Sequence, residues 1–402
     1  MTSPLIFTKV VGLLEVFELL VICLFPIALV SSITFSGIIL FLGIVLFSLL
    51  YILKQKNDLL FSELNSVHWA FLIYIFIFSL SSFINAGLAK AFHMFCRTCQ
   101  DYFVFLWIVS IICKFKNNSN SSKVLTILKL IFLFSGLLSI LYGLCQYFHF
   151  DFFHRQSDIS KLSGFHKNPY SYGGQLIIFL FLFLNEFLTT HNKSIIKSLF
   201  FLLSIATLFC VLNTFERAVI LGILFGLFFY FILLKYDIKK MLFASSVIST
   251  VILIAIYFNR KLCERFKNIF LTLKLKSNVR FKLWNIALSI WKRNIFFGVS
   301  EFPNVVHEPE NGSRVQILTH AHNVYLQILV THGIVGLLAF LNLFIAIFKT
   351  LLSNTNSKYV ICLLAILFSF SFEGIFEYFW GDSEVRYLLL YFIGFVLAQV
   401  GE

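Results

Sequence analysis

Apolar runs long enough to cross a lipid bilayer recur along almost the whole chain. They lie near residues 10–30, 33–53, 67–86, 92–113, 124–148, 170–190, 196–212, 218–234, 241–258, 323–348, 360–378 and 385–400. A membrane helix needs about 20 consecutive apolar residues, because lipid offers its backbone N–H and C=O groups no partner. Barrel strands are shorter, about 10 residues, and alternate in polarity. The pattern therefore predicts an all-α polytopic membrane protein with about twelve transmembrane helices. Composition agrees: 59% of the residues are hydrophobic and only 13% are charged, which excludes a soluble domain and a disordered chain. The first run is too long for a cleaved signal, is interrupted by Glu15 and Glu18, and is followed at once by a second.

Three regions are expected: a bundle of nine spans over 1–258, a large outer loop over 259–322, and three further spans over 323–402. The net charge of +13 lies in the loops between apolar runs, so it reports topology and not a nucleic-acid partner. Lys54, Lys56, Lys114, Lys116, Lys235, Lys239 and Lys240 fall in short turns on the side of the termini, which the positive-inside rule makes cytoplasmic. Most cysteines fall in or beside apolar runs, where they act as small hydrophobes. Cys96 and Cys99 form a lone C-x-x-C with no second pair.

The arginines distribute differently. On this topology Arg97, Arg155, Arg217, Arg260, Arg265, Arg280, Arg293, Arg314 and Arg386 all face the outer side. The planar, permanently charged guanidinium suits bidentate contacts to phosphate or diphosphate, although Arg-rich loops also bind lipid head groups. Arg217 sits beside Glu216 in a turn so short that it must lie at the outer membrane surface, where a cation calls for an anion or a cavity. Arg386, with Asp382 and Glu384, reads as a self-neutralised outer turn. Arg155, Lys161, His166 and Lys167 precede Asn168-Pro169 in another outer loop.

In the large loop, Arg280, Trp284, Ala287 and Trp291 recur at helical spacing, which predicts an amphipathic helix at the outer interface. A dense polar segment follows, from His307, Glu308 and Glu310 to His320, His322 and Asn323. A histidine at the mouth of a helix can serve as a general base near neutral pH. His320 and His322 with Glu308 or Glu310 could in principle bind zinc, but no metal-binding motif accompanies them, and no metal site is expected. Phosphate-loop, nucleophile-elbow and dinucleotide signatures are absent. Chemistry here would draw on an activated substrate, and no cofactor is called for. Glu15 and Glu18 would suit proton coupling in a transporter or lipid-linked-sugar flippase. In such a protein, polar residues should line the midplane, whereas here they collect on the outer face.

His322-Asn323, followed after nine residues by Gly333-Ile334-Val335-Gly336, matches H-[NSQ]-x9-G-x-x-G. That pattern resembles the signature of the bacterial O-antigen ligase family. Thr214 to Ala218 is similar to the family's Arg-bearing turn. Arg280, Trp284, Ala287 and Gly298 are similar to its loop helix, and Gly164-Phe165 with Asn168-Pro169 to the loop before its sixth span. Asn294 and Gly298-Val299-Ser300 depart from the pattern, where a Pro and a second Gly are common.

The resemblance implies a GT-C-like fold in the bacterial inner membrane with a site facing the periplasm. It implies a metal-independent glycosyltransferase that moves O-antigen glycan from undecaprenyl diphosphate to lipid A–core oligosaccharide, in contact with membrane lipids. It casts His322 as the base and Arg217 and Arg280 as diphosphate ligands. Asn323, Arg155, Trp284 and His320 join them as expected substrate-binding residues. An O-antigen polymerase or a protein O-oligosaccharyltransferase would use the same donor with another acceptor.

Overall fold

The computed structural model describes residues 4–54, 65–116, 121–153, 161–190, 195–234, 279–307 and 316–400. In chain order these form α1 (Pro4–Ser31), α2 (Ile33–Lys54), α3 (Asn65–Lys116), α4 (Ser121–Tyr147), α5 (Pro169–Thr189), α6 (Ile195–Thr214) and α7 (Arg217–Leu233). The amphipathic α8 (Val279–Arg293) and a small antiparallel hairpin, β1 (Val305–His307) with β2 (Gln316–Leu318), follow. The chain ends with α9 (Val324–Leu352), α10 (Lys358–Glu373), a 3-10 turn (Phe379–Gly381) and α11 (Ser383–Val400). Among the described residues, eight helices are long and apolar enough to cross a membrane, and Arg217–Leu233 is a shorter apolar helix. The expected run at 241–258, Arg155, and Glu308 and Glu310 lie outside the described residues.

The two runs expected at 67–86 and 92–113 share α3, but Gly87 interrupts it at φ 78, ψ −174, a backbone region that only glycine tolerates. The two halves pack on each other in antiparallel order. Phe71 and Phe105 stack with ring centroids 5.1 Å apart, and the Tyr74 hydroxyl donates to Asp101 at 3.4 Å. His68 Nδ1 meets the Tyr102 hydroxyl at 3.0 Å. Gly87 is therefore the tip of a helical hairpin.

Gly333 breaks α9 in the same way, at φ 66, ψ −167. A broken helix leaves carbonyls and N–H groups without partners, and lipid cannot supply them. The 294–300 loop does. Val299 N–H donates to the Val330 carbonyl and Ser300 N–H to Thr331, each at 2.8 Å; Ile334 N–H donates to Ile295 at 2.9 Å and Val335 N–H to Phe296 at 3.3 Å. Strand-like contact at this closeness leaves no room for side chains. A Cβ on Gly333 would strike the Phe296 carbonyl, and one on Gly298 would strike the Val330 carbonyl. This explains the glycines of both motifs. Ser300, where a second Gly is common, nevertheless holds φ 67.

One rim gathers the starts of α5, α7, α9 and α11 with the ends of α6 and α10. Leu162 N–H donates to the Asn213 carbonyl at 2.9 Å, and Val324 N–H to Gly374 at 2.8 Å. At the other end, Glu15 and Glu18 both pair with Lys114, at 2.9 and 3.6 Å. Both carboxylates thus have a structural partner on the neighbouring α3.

Arg386 is not part of a self-neutralised turn. Its Nε donates to Asp101 of α3 at 2.7 Å, and both side chains are buried. The acids near it in sequence face elsewhere: Asp382 accepts from the Ser171 hydroxyl at 2.9 Å, and Glu384 lies 3.7 Å from His166.

Candidate active site

The Trp284 indole N–H donates to the Ala321 carbonyl at 3.1 Å, and Gln327 Oε1 accepts the Ala321 N–H at 2.8 Å. Leu283, Ala287, Phe302, Ala321 and Val330 form a separate apolar cluster that docks α8 on α9. Ala321 is thus held from two sides, and its neighbour His322 is turned to φ 47. An L-residue there costs on the order of 1–3 kcal/mol and persists only where its surroundings fix it. Asn323 caps α9: its Oδ1 accepts the Leu326 N–H at 2.8 Å while its Nδ2 donates to the Ile375 carbonyl at 2.8 Å. These two residues, expected to touch substrate, have their polar groups committed to holding His322 and the 374–378 segment.

That segment carries the residue the sequence reading did not single out. His322 Nδ1 lies 3.0 Å from Glu377 Oε1 and 3.2 Å from Oε2. Arg280 Nη2 lies 3.6 Å from Glu377 Oε2. Burial pushes the Glu377 carboxyl up, but the bond to His322, the His322 and Arg280 charges and the Tyr378 N–H outweigh it and hold it below the usual range. An ionised carboxylate only accepts, so Nδ1 must carry a proton, and in the neutral imidazole Nε2 then keeps its lone pair.

His320 stands beside this pair, with ring centroids 4.0 Å apart. Its Nδ1 accepts the His322 backbone N–H at 3.3 Å. Burial, with His322 nearby, lowers it to about 4, and Glu377 opposes this only in part. His320 is therefore neutral near pH 7, with its proton on Nε2.

Tyr170 bridges to the expected arginine turn. Its ring lies 6.3 Å from that of His322, and its hydroxyl faces Glu216, Glu377 and Arg280. Glu216 pairs with Lys161 at 3.3 Å, and Arg217 opens α7 directly after it. Phe215 turns the chain there at φ 58. Asn168 accepts the Tyr170 N–H at 3.1 Å and Pro169 opens α5, which fixes Tyr170 at the rim. Asp382, in the same rim, is raised to about 7 by burial, with Glu384 and Glu377 adding to the effect against the Ser171 hydrogen bond and Arg386.

The structure thus brings His322, Arg280 and His320 together on Glu377, and sets Arg217 in the adjoining turn. Arg155 lies outside the described residues. His320, His322 and Glu377 also form a group whose ligand atoms lie within 4.8 Å of one another and could hold a metal ion. Three donors fit a zinc site with one open position, but such an ion would take the Glu377 oxygens from His322 Nδ1. A base and a metal ligand set are alternative uses of the same three side chains.

The sequence signal for Glu377 was present. Glu373 and Glu377 interrupt an apolar run expected to span 360–378, and an acid in such a run is costly unless it is used. The helix ends at Glu373, which leaves Glu377 outside the span.

Residues 200–341 match the family model described as O-antigen ligase. The match takes in Arg217, Arg280, His322 and the Gly333–Gly336 motif. A comparison with curated proteins gives no match.

Proposed function

We propose, from the O-antigen ligase domain that the chain carries over residues 200–341, that it is a membrane glycosyltransferase working at the periplasmic rim of the bacterial inner membrane. Its donor is an undecaprenyl-diphosphate-linked glycan and its acceptor is lipid A–core oligosaccharide. The observation that carries this reading is the His322–Glu377–Arg280 arrangement, with its distances of 3.0 and 3.6 Å.

The reaction is a single in-line displacement. The acceptor hydroxyl oxygen bonds to the anomeric carbon as the bond from that carbon to the phosphate oxygen breaks. The hydroxyl proton passes to His322 Nε2, and the lipid diphosphate leaves as an anion. Glu377 fixes the tautomer and stabilises the imidazolium that forms, which is the usual task of a carboxylate behind a histidine base. Arg280 and Arg217 meet the charge that grows on the leaving diphosphate. Arg280 lies 3.6 Å from Glu377, which sets its guanidinium beside the base. The fold reading that goes with this is GT-C-like, and the reaction needs no metal.

Deletion of the gene tests the choice of acceptor. A ligase deletion leaves polymeric glycan on the carrier lipid and bare lipid A–core. Single repeats on lipid A–core would instead assign a polymerase. Loss of glycan from periplasmic proteins alone would assign a protein oligosaccharyltransferase. Activity abolished by a chelator and restored by zinc would replace the base with a metal centre.

A further inference from the structure

A cavity of about 360 Å³ opens beside Tyr378. Arg97, Ser82, Thr319, Gln327, Thr331 and Tyr378 are among the residues that line it, whereas Arg217, Arg280 and Tyr170 do not. Tyr378 follows Glu377 directly, and its ring lies 6.1 Å from that of His320. Thr319 and Tyr378, which line the cavity, are the chain neighbours of His320 and Glu377, so the cavity adjoins the proposed base without sharing the proposed diphosphate ligands. An in-line displacement needs its nucleophile on the side opposite the leaving group.

The charge in this cavity is specific. Lys90 is paired with Glu301, and the nearby Arg386 is paired with Asp101. Arg97 makes no ion pair within 4 Å among the described residues, although the Asp101 carboxylate, already paired with Arg386, lies within its field. Its guanidinium donates from Nη2 to the Gly381 carbonyl at 3.5 Å, at the weak end of the range. The guanidinium is part-buried, so water only partly compensates it. The buried Ser82 hydroxyl, in the cavity lining, has no hydrogen-bond partner among the described residues. A fixed cation and an unmatched hydroxyl donor in one polar cavity call for an anion.

We propose that this cavity binds the acceptor through an anionic group, phosphate or carboxylate, close to the hydroxyl that attacks, with Arg97 as its cation and Ser82 as a second donor. The proposal rests on the transferase reading for the word acceptor, but the anion site stands or falls by binding alone. Gly87 has a structural part in it. The hairpin tip allows the second half of α3 to bring Arg97 back against the 300–302 segment. Ser81 and Asn85 donate to the Phe297 carbonyl at 2.7 and 2.8 Å, which clamps the first half to the same loop.

The test uses the purified full chain in lipid nanodiscs, with lipid A–core and the lipid-linked glycan as separate probes. Arg97→Gln should weaken lipid A–core binding about tenfold and leave binding of the lipid-linked glycan unchanged. Arg97→Lys, which keeps charge but not the fork, should fall between and serves if the glutamine variant does not fold. Ser82→Ala should act in the same direction by a few-fold. Dephosphorylated lipid A–core that binds Arg97→Gln and wild type alike assigns the phosphate; a remaining difference assigns the carboxylate. Equal lipid A–core affinity in wild type, Arg97→Gln and Arg97→Lys overturns the proposal. So does a loss confined to the lipid-linked glycan, which would make the cavity a donor site. If wild type fails to transfer but the binding difference holds, the transferase reading falls and the anion site remains.

Discussion

His322 and Glu377 stand 55 residues apart in the chain, yet the imidazole Nδ1 sits 3.0 and 3.2 Å from the two carboxylate oxygens. The contact fixes which ring nitrogen is free. Glu377→Gln keeps the shape but can donate a proton to Nδ1, which favours the wrong tautomer. The turnover number should fall by about 10²–10⁴-fold, in line with removal of the carboxylate behind other histidine bases. The KM for either substrate should change little. Steady-state kinetics on the purified variant checks this; a KM effect without a kcat effect would make Glu377 a binding residue.

In the proposed reaction Arg280 and Arg217 meet charge that develops in the transition state. Alanine at either position should lower kcat by about 10²-fold or more, the usual cost of removing one donor to a developing anion. Lysine should restore part of the loss, since it keeps charge but not the fork. Alanine and lysine variants with wild-type rates would leave the diphosphate without its proposed ligands.

The glycine pair that joins the 294–300 loop to α9 governs stability and not chemistry. Gly333→Ala forces a side chain to adopt φ 66 and drives its Cβ into the Phe296 carbonyl. The backbone term alone is roughly 1–3 kcal/mol, and the collision adds to it. Gly298→Ala, against the Val330 carbonyl, should behave alike. Melting in detergent should drop by several degrees for both. Gly12→Ala, where nothing lies within 4 Å, is the control and should melt as wild type does.

His320 gives the fold a pH dependence of known sign. Its folded-state value is about 4 against 6.5 for the free group. The unfolded chain therefore takes up a proton that the folded one refuses. The stabilisation is complete above about 6.5, declines as the pH falls, and is lost by about 4. It amounts to at most on the order of 3 kcal/mol. Melting temperature should decline from pH 7 to pH 5 more steeply in wild type than in His320→Asn. Parallel curves would show that His320 is already solvated.

Much of this was legible in the sequence, for reasons that differ by residue. The apolar runs announced helices because lipid permits little else, whereas His322, Asn323 and Gly333 stood out through their resemblance to a family pattern, which carried no hint of the cap at Asn323 or the helix break at Gly333. Arg280 and Trp284 were placed on one face of α8 by spacing, and the structure has that face toward Ala321 and Glu377. What spacing could not supply was partnership. Trp284 and Asn323 looked like ligands for substrate, but their hydrogen bonds go to Ala321, Leu326 and Ile375. Arg386 looked matched to its neighbours in sequence, but its partner is Asp101, 285 residues away. Glu377 was hidden inside an apolar run because hydropathy averages over a window, and one carboxylate at its end barely moves the mean.

The most direct measurement is transfer in vitro by the purified chain, with lipid-linked glycan and lipid A–core, comparing wild type with His322→Ala. Wild type should form the joined product without added metal or nucleotide, and His322→Ala should bind the lipid-linked glycan as tightly yet form none. Product from His322→Ala at the wild-type rate would contradict the assignment of His322 as the base.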